Sequence, residues 1–245
     1  MGGKPSAILI LADFSDGSWH ALKFSMTFLY TIHTRIFILQ TFKSPKFGQF
    51  MTRNIVPRLE KITKDELNAR KLNLLRNFEI KDEQIELLSF QGDLLKVLQN
   101  KLDVNYSYNI VFGTYSSFAD SGTMQFLCLT KLINSTCNPL FILPALFDEK
   151  RSNKILFVGN PSKTRKSTLK NLLVNFCVKT HSELDILFII KNEVESIKRE
   201  TIQFYESYFK KIKHKISHTK NSSVCKGMRN YLLTHEIDLI VIEGN

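Results

Sequence analysis

The segment 159–168 has the composition of a phosphate-binding loop. It follows an apolar run, precedes a helical pattern, and combines Gly, Ser, Thr and basic residues. A Walker motif places Gly, four further residues and then Gly-Lys-Ser/Thr, so that backbone N–H groups and the lysine surround a phosphate. Here Thr164 and Arg165 stand where that Gly and Lys are required. We therefore interpret Ser162 as a helix cap with basic neighbours, because its hydroxyl can accept hydrogen bonds from the first helical N–H groups.

No combination of nucleophile, general base or metal ligands is apparent in the sequence. The histidines lack the His-Glu-x-x-His spacing, and no Gly-x-Ser-x-Gly turn that would present a catalytic serine occurs. We therefore expect neither enzymatic activity nor a metal site. The cysteines are scattered among apolar residues and form no Cys-x-x-Cys pair: Cys128, Cys137, Cys177 and Cys225. This pattern indicates reduced core residues and predicts a cytoplasmic protein.

Positive charge is concentrated in the second part of the chain. The net charge is +11, of which residues 1–150 contribute +3 and residues 151–245 contribute +8. A field of Lys and Arg attracts polyanions at long range, so binding of nucleic acid or of an acidic partner through this half is one hypothesis. No nucleic-acid motif accompanies the charge, which favours a solvated basic surface.

The basic run 210–215 follows three aromatic residues, Tyr205, Tyr208 and Phe209. Cations and aromatic rings in alternation can hold single-stranded nucleic acid by charge and stacking. In the alternative interpretation, the rings face a sheet and the lysines lie near the negative end of a helix dipole. We favour the second interpretation.

Short apolar runs alternate with longer amphipathic stretches along the chain. This order predicts β-α-β units and an open parallel sheet, and nearly uninterrupted apolar strands indicate helices on both faces. In the first part, strands are predicted at 8–11, 36–39, 85–90, 110–112 and 140–143, and helices at 17–33, 55–77, 93–104 and 124–135. Asp93, after Gly92, is predicted to cap the third helix. In the second predicted helix, 55–77, the helical spacing of apolar residues predicts one buried face. This face is formed by Ile55, Leu59, Ile62, Ala69 and Leu72.

The pattern restarts after the polar linker 147–153. Residues 155–162 repeat the design of residues 8–15, in which an apolar strand ends in Asp or Asn and Ser follows ahead of a helix. Later strands are predicted at 184–190, 215–218 and 239–242, with helices at 163–180, 194–212 and 223–235. Such an internal repeat predicts two domains of one design. The first, 1–147, is a complete five-stranded domain, and the second, 152–245, is a shorter copy without the last helix and fifth strand. No apolar run approaches the ~18 residues that a membrane helix needs, so we expect no membrane partner.

Four pieces of the first domain occur in the order and spacing of a known family. They are 8–15 with Ala21-Leu22 in the next helix, Gln91-Gly92-Asp93 after the third strand, 110–114 at the fourth and 137–144 at the fifth. On these residues the chain resembles the universal stress protein family, and the second copy resembles it more loosely. The resemblance implies a duplicated Rossmann-like fold, similar to that of adenine nucleotide alpha hydrolases, and a role in the stress response.

The resemblance also implies where a nucleotide would bind. In the nucleotide-binding branch of the family, adenine lies near the Asp that ends the first strand, and Gly-x2-Gly-x9-Gly-Ser after the fourth strand surrounds ribose and phosphates. Asp13 and Gly113 match this pattern, but Ser116 replaces the second glycine, and Phe126 and Leu127 stand where Gly-Ser is required. Bulky apolar side chains would occupy the phosphate space. We predict that the ATP cradle is lost and that the protein has no cofactor.

The second copy departs further from that pattern. Asn160 stands at the position of Asp13, and Glu243 stands at the position of Gly113. We therefore expect the second copy to be less able than the first to bind a nucleotide. In both copies the strand-end residues also have a purely structural explanation, as turn and helix-capping residues.

These observations predict a non-enzymatic stress-response protein that acts as a binding or scaffold module. One rival is a sensor that holds AMP or ATP through altered contacts around Asp13, Leu39, Gly113 and Ser116. The other is the nucleic-acid or acidic-partner binder described above. Because the second copy has no fifth strand, the strand at Leu140–Leu143 lacks an internal partner, and we predict a homodimer joined there.

Overall fold

The structure of the protein is a computed structural model. It describes residues 4–12, 15–42, 49–114, 138–143, 154–162, 164, 167–190 and 197–243, with the backbone alone at 49–54. The chain divides into two compact units, Met1–Phe147 and Asp148–Asn245. Each unit is described by itself below.

The first unit contains a five-stranded parallel sheet. In chain order its elements are β1 (Ser6–Leu11), α1 (Asp16–Phe24) continued by the π-helical turn Ser25–Leu29, β2 (Arg35–Phe42), α2 (Gln49–Asn77), a 3-10 turn (Asp82–Gln84), β3 (Ile85–Gln91), α3 (Leu94–Asn100), β4 (Ser107–Gly113) and β5 (Leu140–Leu143). The strand order is β3-β2-β1-β4-β5, and all four pairings are parallel. The helix predicted at 124–135 lies outside the described residues.

The centre of this sheet is covered on both faces. Ile8, Leu9 and Ile10 are fully buried although successive side chains of a strand point to opposite faces. Burial on both faces requires helices above and below, which the uninterrupted apolar run of β1 predicted. Full burial of such a side chain contributes about 1.5–3 kcal/mol.

The second unit repeats the order of the first four strands. Its elements are β6 (Lys154–Gly159), α4 (Thr168–Thr180), β7 (Glu183–Ile190), α5 (Arg199–Tyr208), β8 (His214–Lys220), α6 (Val224–Leu232) and β9 (Leu239–Ile242). These strands form a parallel sheet of order β8-β7-β6-β9, which corresponds to β3-β2-β1-β4. The predicted α/β fold class is confirmed, and the two sheets fit a duplication.

Helix starts follow from capping side chains. Ser15 Oγ accepts from Ser18 N at 3.2 Å to begin α1, and Asp93 Oδ1 accepts from Leu95 N at 3.1 Å to begin α3, as predicted. Ser167, with Oγ 3.2 Å from Lys170 N, begins α4. The interpretation of Ser162 as a helix cap is therefore wrong. Its N–H instead donates to Asn160 Oδ1 at 3.0 Å, which forms a turn just after β6.

The buried face of α2 also differs from the prediction. Thr63, Leu67 and Leu74 are buried, whereas Ile62 and Leu72 are each 53% exposed. Thr63 tolerates burial because its hydroxyl donates to Leu59 O at 2.8 Å. The apolar residues of this helix lie in two stripes, and spacing alone does not say which stripe faces the sheet.

The two described cysteines differ in environment. Cys177 is buried in α4, as predicted, whereas Cys225 in α6 is exposed, so the prediction of a core position is wrong for Cys225. Burial raises the pKa of the Cys177 thiol to about 12. Over the ranges that the structure describes, none of the helices combines the length and apolar character required to cross a bilayer.

Candidate ligand sites at the carboxyl ends of the strands

Each sheet has a cavity at the carboxyl ends of its strands, where open parallel sheets bind ligands. In the first unit this cavity has a volume of about 200 Å³. Its described lining is Leu11, Ala12, Leu39, Gln40, Thr41, Leu94 and Phe112. The parallel register pairs Leu11 with Leu39, which brings the ends of β1 and β2 to one wall.

Of the four residues predicted to touch a nucleotide, Leu39 lines this cavity and Gly113 lies next to the lining residue Phe112. Asp13 and Ser116 lie outside the described residues, as do Phe126 and Leu127. The assignment of these residues to a nucleotide site therefore stays a prediction.

Gly113 has a structural role that the sequence alone did not reveal. A Cβ atom at Gly113 would lie 1.8 Å from the carbonyl oxygen of Gly17, and a Cβ atom at Gly17 would lie 2.3 Å from the carbonyl oxygen of Thr114. The first turn of α1 thus packs directly on the backbone at the end of β4. Both glycines are required by this contact whether or not a ligand binds.

Gln40 is a second residue that sequence analysis missed. Its Oε1 atom is buried and has no hydrogen-bond partner among the residues that the structure describes. Buried acceptors are normally satisfied, so an atom of this kind in a cavity wall indicates a place for a donor group. The only sequence signal was that the apolar run Ile36–Leu39 gives way to the polar residues Gln40 and Thr41 before β2 ends.

The cavity of the second unit is larger, at about 590 Å³. It opens between the ends of β6, β7 and β9 and the first turns of α5 and α6. Its described lining residues are Val158, Gly159, Asn160, Pro161, Ser162, Thr164, Ile189, Ile190, Ile197, Lys198, Glu200, Thr201, Val224, Ile242 and Glu243.

A buried ion pair lies at one wall of this second cavity. Lys170 Nζ is 2.5 Å from Glu243 Oε1, and the two side chains are 0% and 8% exposed. Glu243 Oε2 accepts from Asn160 N at 3.4 Å, and the Tyr205 hydroxyl lies 3.5 Å from Oε2 and 3.3 Å from its other acceptor, Asn160 O. Burial raises the pKa of the Tyr205 hydroxyl, and the charge of Glu243 raises it further, so the hydroxyl stays a donor.

The carboxylate of the ion pair stands at the position that Gly113 has in the first unit, and the lysine lies next to the position of Gly17. Val158 pairs with Ile242 as Leu11 pairs with Phe112, so Glu243 stands where Gly113 stands. Lys170 is equivalent to Ser18, because each backbone N–H donates to the serine that caps its helix. The sequence alone had placed Glu243 at the position of Gly113 and had shown that glycine is replaced there. Its partner Lys170 could not be identified in this way, since the two residues are 73 positions apart.

Two of the three aromatic residues before the basic run, Tyr205 and Phe209, are buried as the favoured interpretation predicted, whereas Tyr208 is only partly buried. Tyr205 and Phe209 are fully buried, and the Tyr205 ring centroid is 5.0 Å from that of Phe188. In the same part of the unit Lys213 pairs with Glu183, and Lys215 Nζ lies 3.0 Å from Asp185 Oδ2. The buried rings are therefore unavailable for stacking with nucleic-acid bases.

Within the described part of the chain, no group of His, Cys, Asp and Glu side chains is arranged to hold a metal ion.

Comparison with known proteins supports the fold. No protein-family model matches the sequence, and no curated protein matches it either. Among solved structures, a universal stress protein from Archaeoglobus fulgidus DSM 4304 is 13% identical, with a TM-score of 0.56 over 88% of this chain and 78% of that chain. A protein of the universal stress protein family from Burkholderia pseudomallei is 16% identical, with a TM-score of 0.40 over 59% of this chain and 99% of that chain. The similarity to the Archaeoglobus protein confirms, at the level of fold, the resemblance found in the sequence.

Proposed function

We propose that this protein is a non-enzymatic, cytoplasmic stress-response protein of universal stress type, and that it acts as a binding or scaffold module without an ATP site. The fold shared with the Archaeoglobus protein supports the universal stress type.

The observation that carries the proposal is the carboxylate of Glu243 at the end of β9. It takes the place of a glycine in the first unit and lines the larger cavity. Where glycine would leave backbone N–H groups free to meet a phosphate, a buried carboxylate repels one. Two like charges about 5 Å apart repel by roughly 3 kcal/mol at an effective dielectric constant of ~20, and the paired Lys170 offsets a large part of this repulsion.

In the first unit, the size of the cavity and the sequence both disfavour an ATP site. The cavity of about 200 Å³ is below the ~300–1,000 Å³ that small-molecule sites usually have. Phe126 and Leu127 replace the Gly-Ser pair of the resembled motif. We infer that a triphosphate has no place there.

Calorimetric titration of the full chain with ATP, ADP and AMP tests the proposal, together with an assay for phosphate release from ATP. We expect no saturable binding at micromolar concentrations and no turnover. A micromolar Kd for any of the three nucleotides, or release of phosphate above the buffer rate, would contradict it.

A second candidate is a nucleotide sensor that uses the first unit. The buried acceptor Gln40 Oε1 favours it, because the amino group of an adenine ring is a suitable donor. In that case Gln40→Met would weaken AMP binding by roughly tenfold. Glu243→Gln, in the other unit, would leave AMP binding to this cavity unchanged.

We also infer a homodimer formed through β5. This strand pairs with β4 on one side and, among the described residues, with no strand on the other. Its residue Ile142 is 38% exposed. An open strand edge with an exposed apolar side chain favours pairing with a second copy.

A further inference from the structure

We propose that the cavity of the second unit binds an uncharged, nucleoside-sized molecule with hydroxyl or amino donors, and that Glu243 selects it against phosphorylated analogues. This inference deepens the proposed function, on which it rests, by naming a ligand class for a site that excludes nucleotides.

The size and the wall of the cavity fit such a molecule. Its volume of about 590 Å³ lies within the range typical of small-molecule sites. Val158, Ile189 and Ile190 form an apolar wall at the strand ends and are only 5%, 7% and 6% exposed. Because these side chains belong to the buried core of the sheet, the wall is preformed and offers a flat ring an apolar surface.

Glu243 provides the polar side of the site. A carboxylate has about four acceptor positions. Lys170 takes one at 2.5 Å, and Asn160 and Tyr205 make long contacts of 3.4 and 3.5 Å. The side chain is thereby held in place and retains capacity to accept a hydrogen bond from a ligand. An acidic residue at a strand end of an α/β sheet binds ribose hydroxyls in dinucleotide sites by the same chemistry.

The charges around the cavity favour a neutral ligand. Glu243 lines the cavity, whereas Lys170 is fully buried and is not among the lining residues. At the mouth, Lys198 and Glu200 are both exposed and carry opposite charges. Among the described residues, the negative end of the Lys170–Glu243 pair is therefore the end that faces the cavity, where it accepts hydroxyl or amino donors and disfavours a phosphate.

The full chain is titrated with adenosine, guanosine, cytidine and uridine and with their 5′-monophosphates, with ATP as a reference. At least one nucleoside should bind, and its monophosphate should bind roughly tenfold more weakly or worse. The proposal is overturned if no nucleoside binds up to millimolar concentration, or if a monophosphate binds as tightly as its nucleoside. ATP separates this inference from the proposed function. Micromolar ATP binding contradicts the function, whereas absence of both ATP and nucleoside binding overturns this inference alone.

Variants assign the site to Glu243. Glu243→Gln should weaken nucleoside binding by roughly ten- to a hundredfold and reduce the discrimination against monophosphates. Because this change removes the carboxylate that pairs with the buried Lys170, the double variant Lys170→Met, Glu243→Gln is measured beside it. Glu206→Gln, an exposed carboxylate on α5 outside the cavity, is the matched control and should behave as wild type. A folded double variant with unchanged affinity and discrimination would remove Glu243 from the site.

Discussion

Gly113 is expected to matter for the stability of the folded first unit. Gly113→Ala would place a methyl group 1.8 Å from the Gly17 carbonyl oxygen, and backbone at both sides of this contact cannot rotate away. We expect a loss of about 1–3 kcal/mol or more in the free energy of unfolding, measured by urea denaturation.

Gly159→Ala is the matched control for that change. Its Cβ atom would meet the ring edge of Phe188 at 3.0 Å, and a side chain can shift where backbone cannot. The loss should be the smaller of the two. Equal losses would mean that the contact between Gly17 and Gly113 imposes no special constraint.

Cys177 and Cys225 should differ in reactivity. Burial raises the pKa of the Cys177 thiol to about 12, and the thiolate is the reactive form, so iodoacetamide at pH 8 should leave Cys177 unmodified. Exposed Cys225 should be alkylated, and peptide mass mapping distinguishes the two. Since the pKa of Cys177 is higher in the folded state, its contribution to stability is present below pH ~8.5 and declines as pH rises toward 12. Labelling of Cys177 before unfolding would contradict its burial.

At the scale of elements, the helix caps give a direct comparison. Ser167→Ala removes the acceptor for Lys170 N and should cost about 0.5–2 kcal/mol of unfolding free energy. Ser162→Ala, which changes only a turn, should stay within about 0.5 kcal/mol. Chemical denaturation of both variants checks this, and a larger loss for Ser162 would place the start of α4 earlier.

The order of strands and helices was predictable because apolar runs and amphipathic stretches differ in period. The strand Leu140–Leu143 was predicted with its observed bounds, as was Leu239–Ile242. The start of α4 could not be predicted from the sequence, because two serines, Ser162 and Ser167, precede it and either can act as a cap. The buried face of α2 could not be predicted either. Ile62 and Leu67 are equally apolar, and only tertiary packing determines which of them is buried.

The candidate sites were less predictable than the elements. The sequence located Gly113 and Glu243 at equivalent strand ends, because repeat alignment preserves order. It did not indicate that Gly17 needs Gly113 or that Lys170 needs Glu243. Both contacts join a helix to a strand far along the chain, and they depend on how closely the two elements approach.

At the scale of the whole molecule, the proposed dimer can be measured directly. Light scattering at tens of micromolar should give a mass near twice 28.4 kDa. Ile142→Lys adds a charge to the open edge of β5 and should shift the protein toward the monomer. Lys220→Glu, at the end of the edge strand of the other sheet, is the control and should leave the mass unchanged. A wild-type mass of 28.4 kDa would exclude the dimer.

The buried pair of Lys170 and Glu243 also limits how the second unit can change over evolutionary time. Loss of either side chain breaks a buried ion pair, which typically costs about 3–5 kcal/mol. That is a large part of the roughly 5–15 kcal/mol by which a domain of ordinary size is stable. Selection against loss of either side chain would hold both residues in place, even where neither serves a ligand.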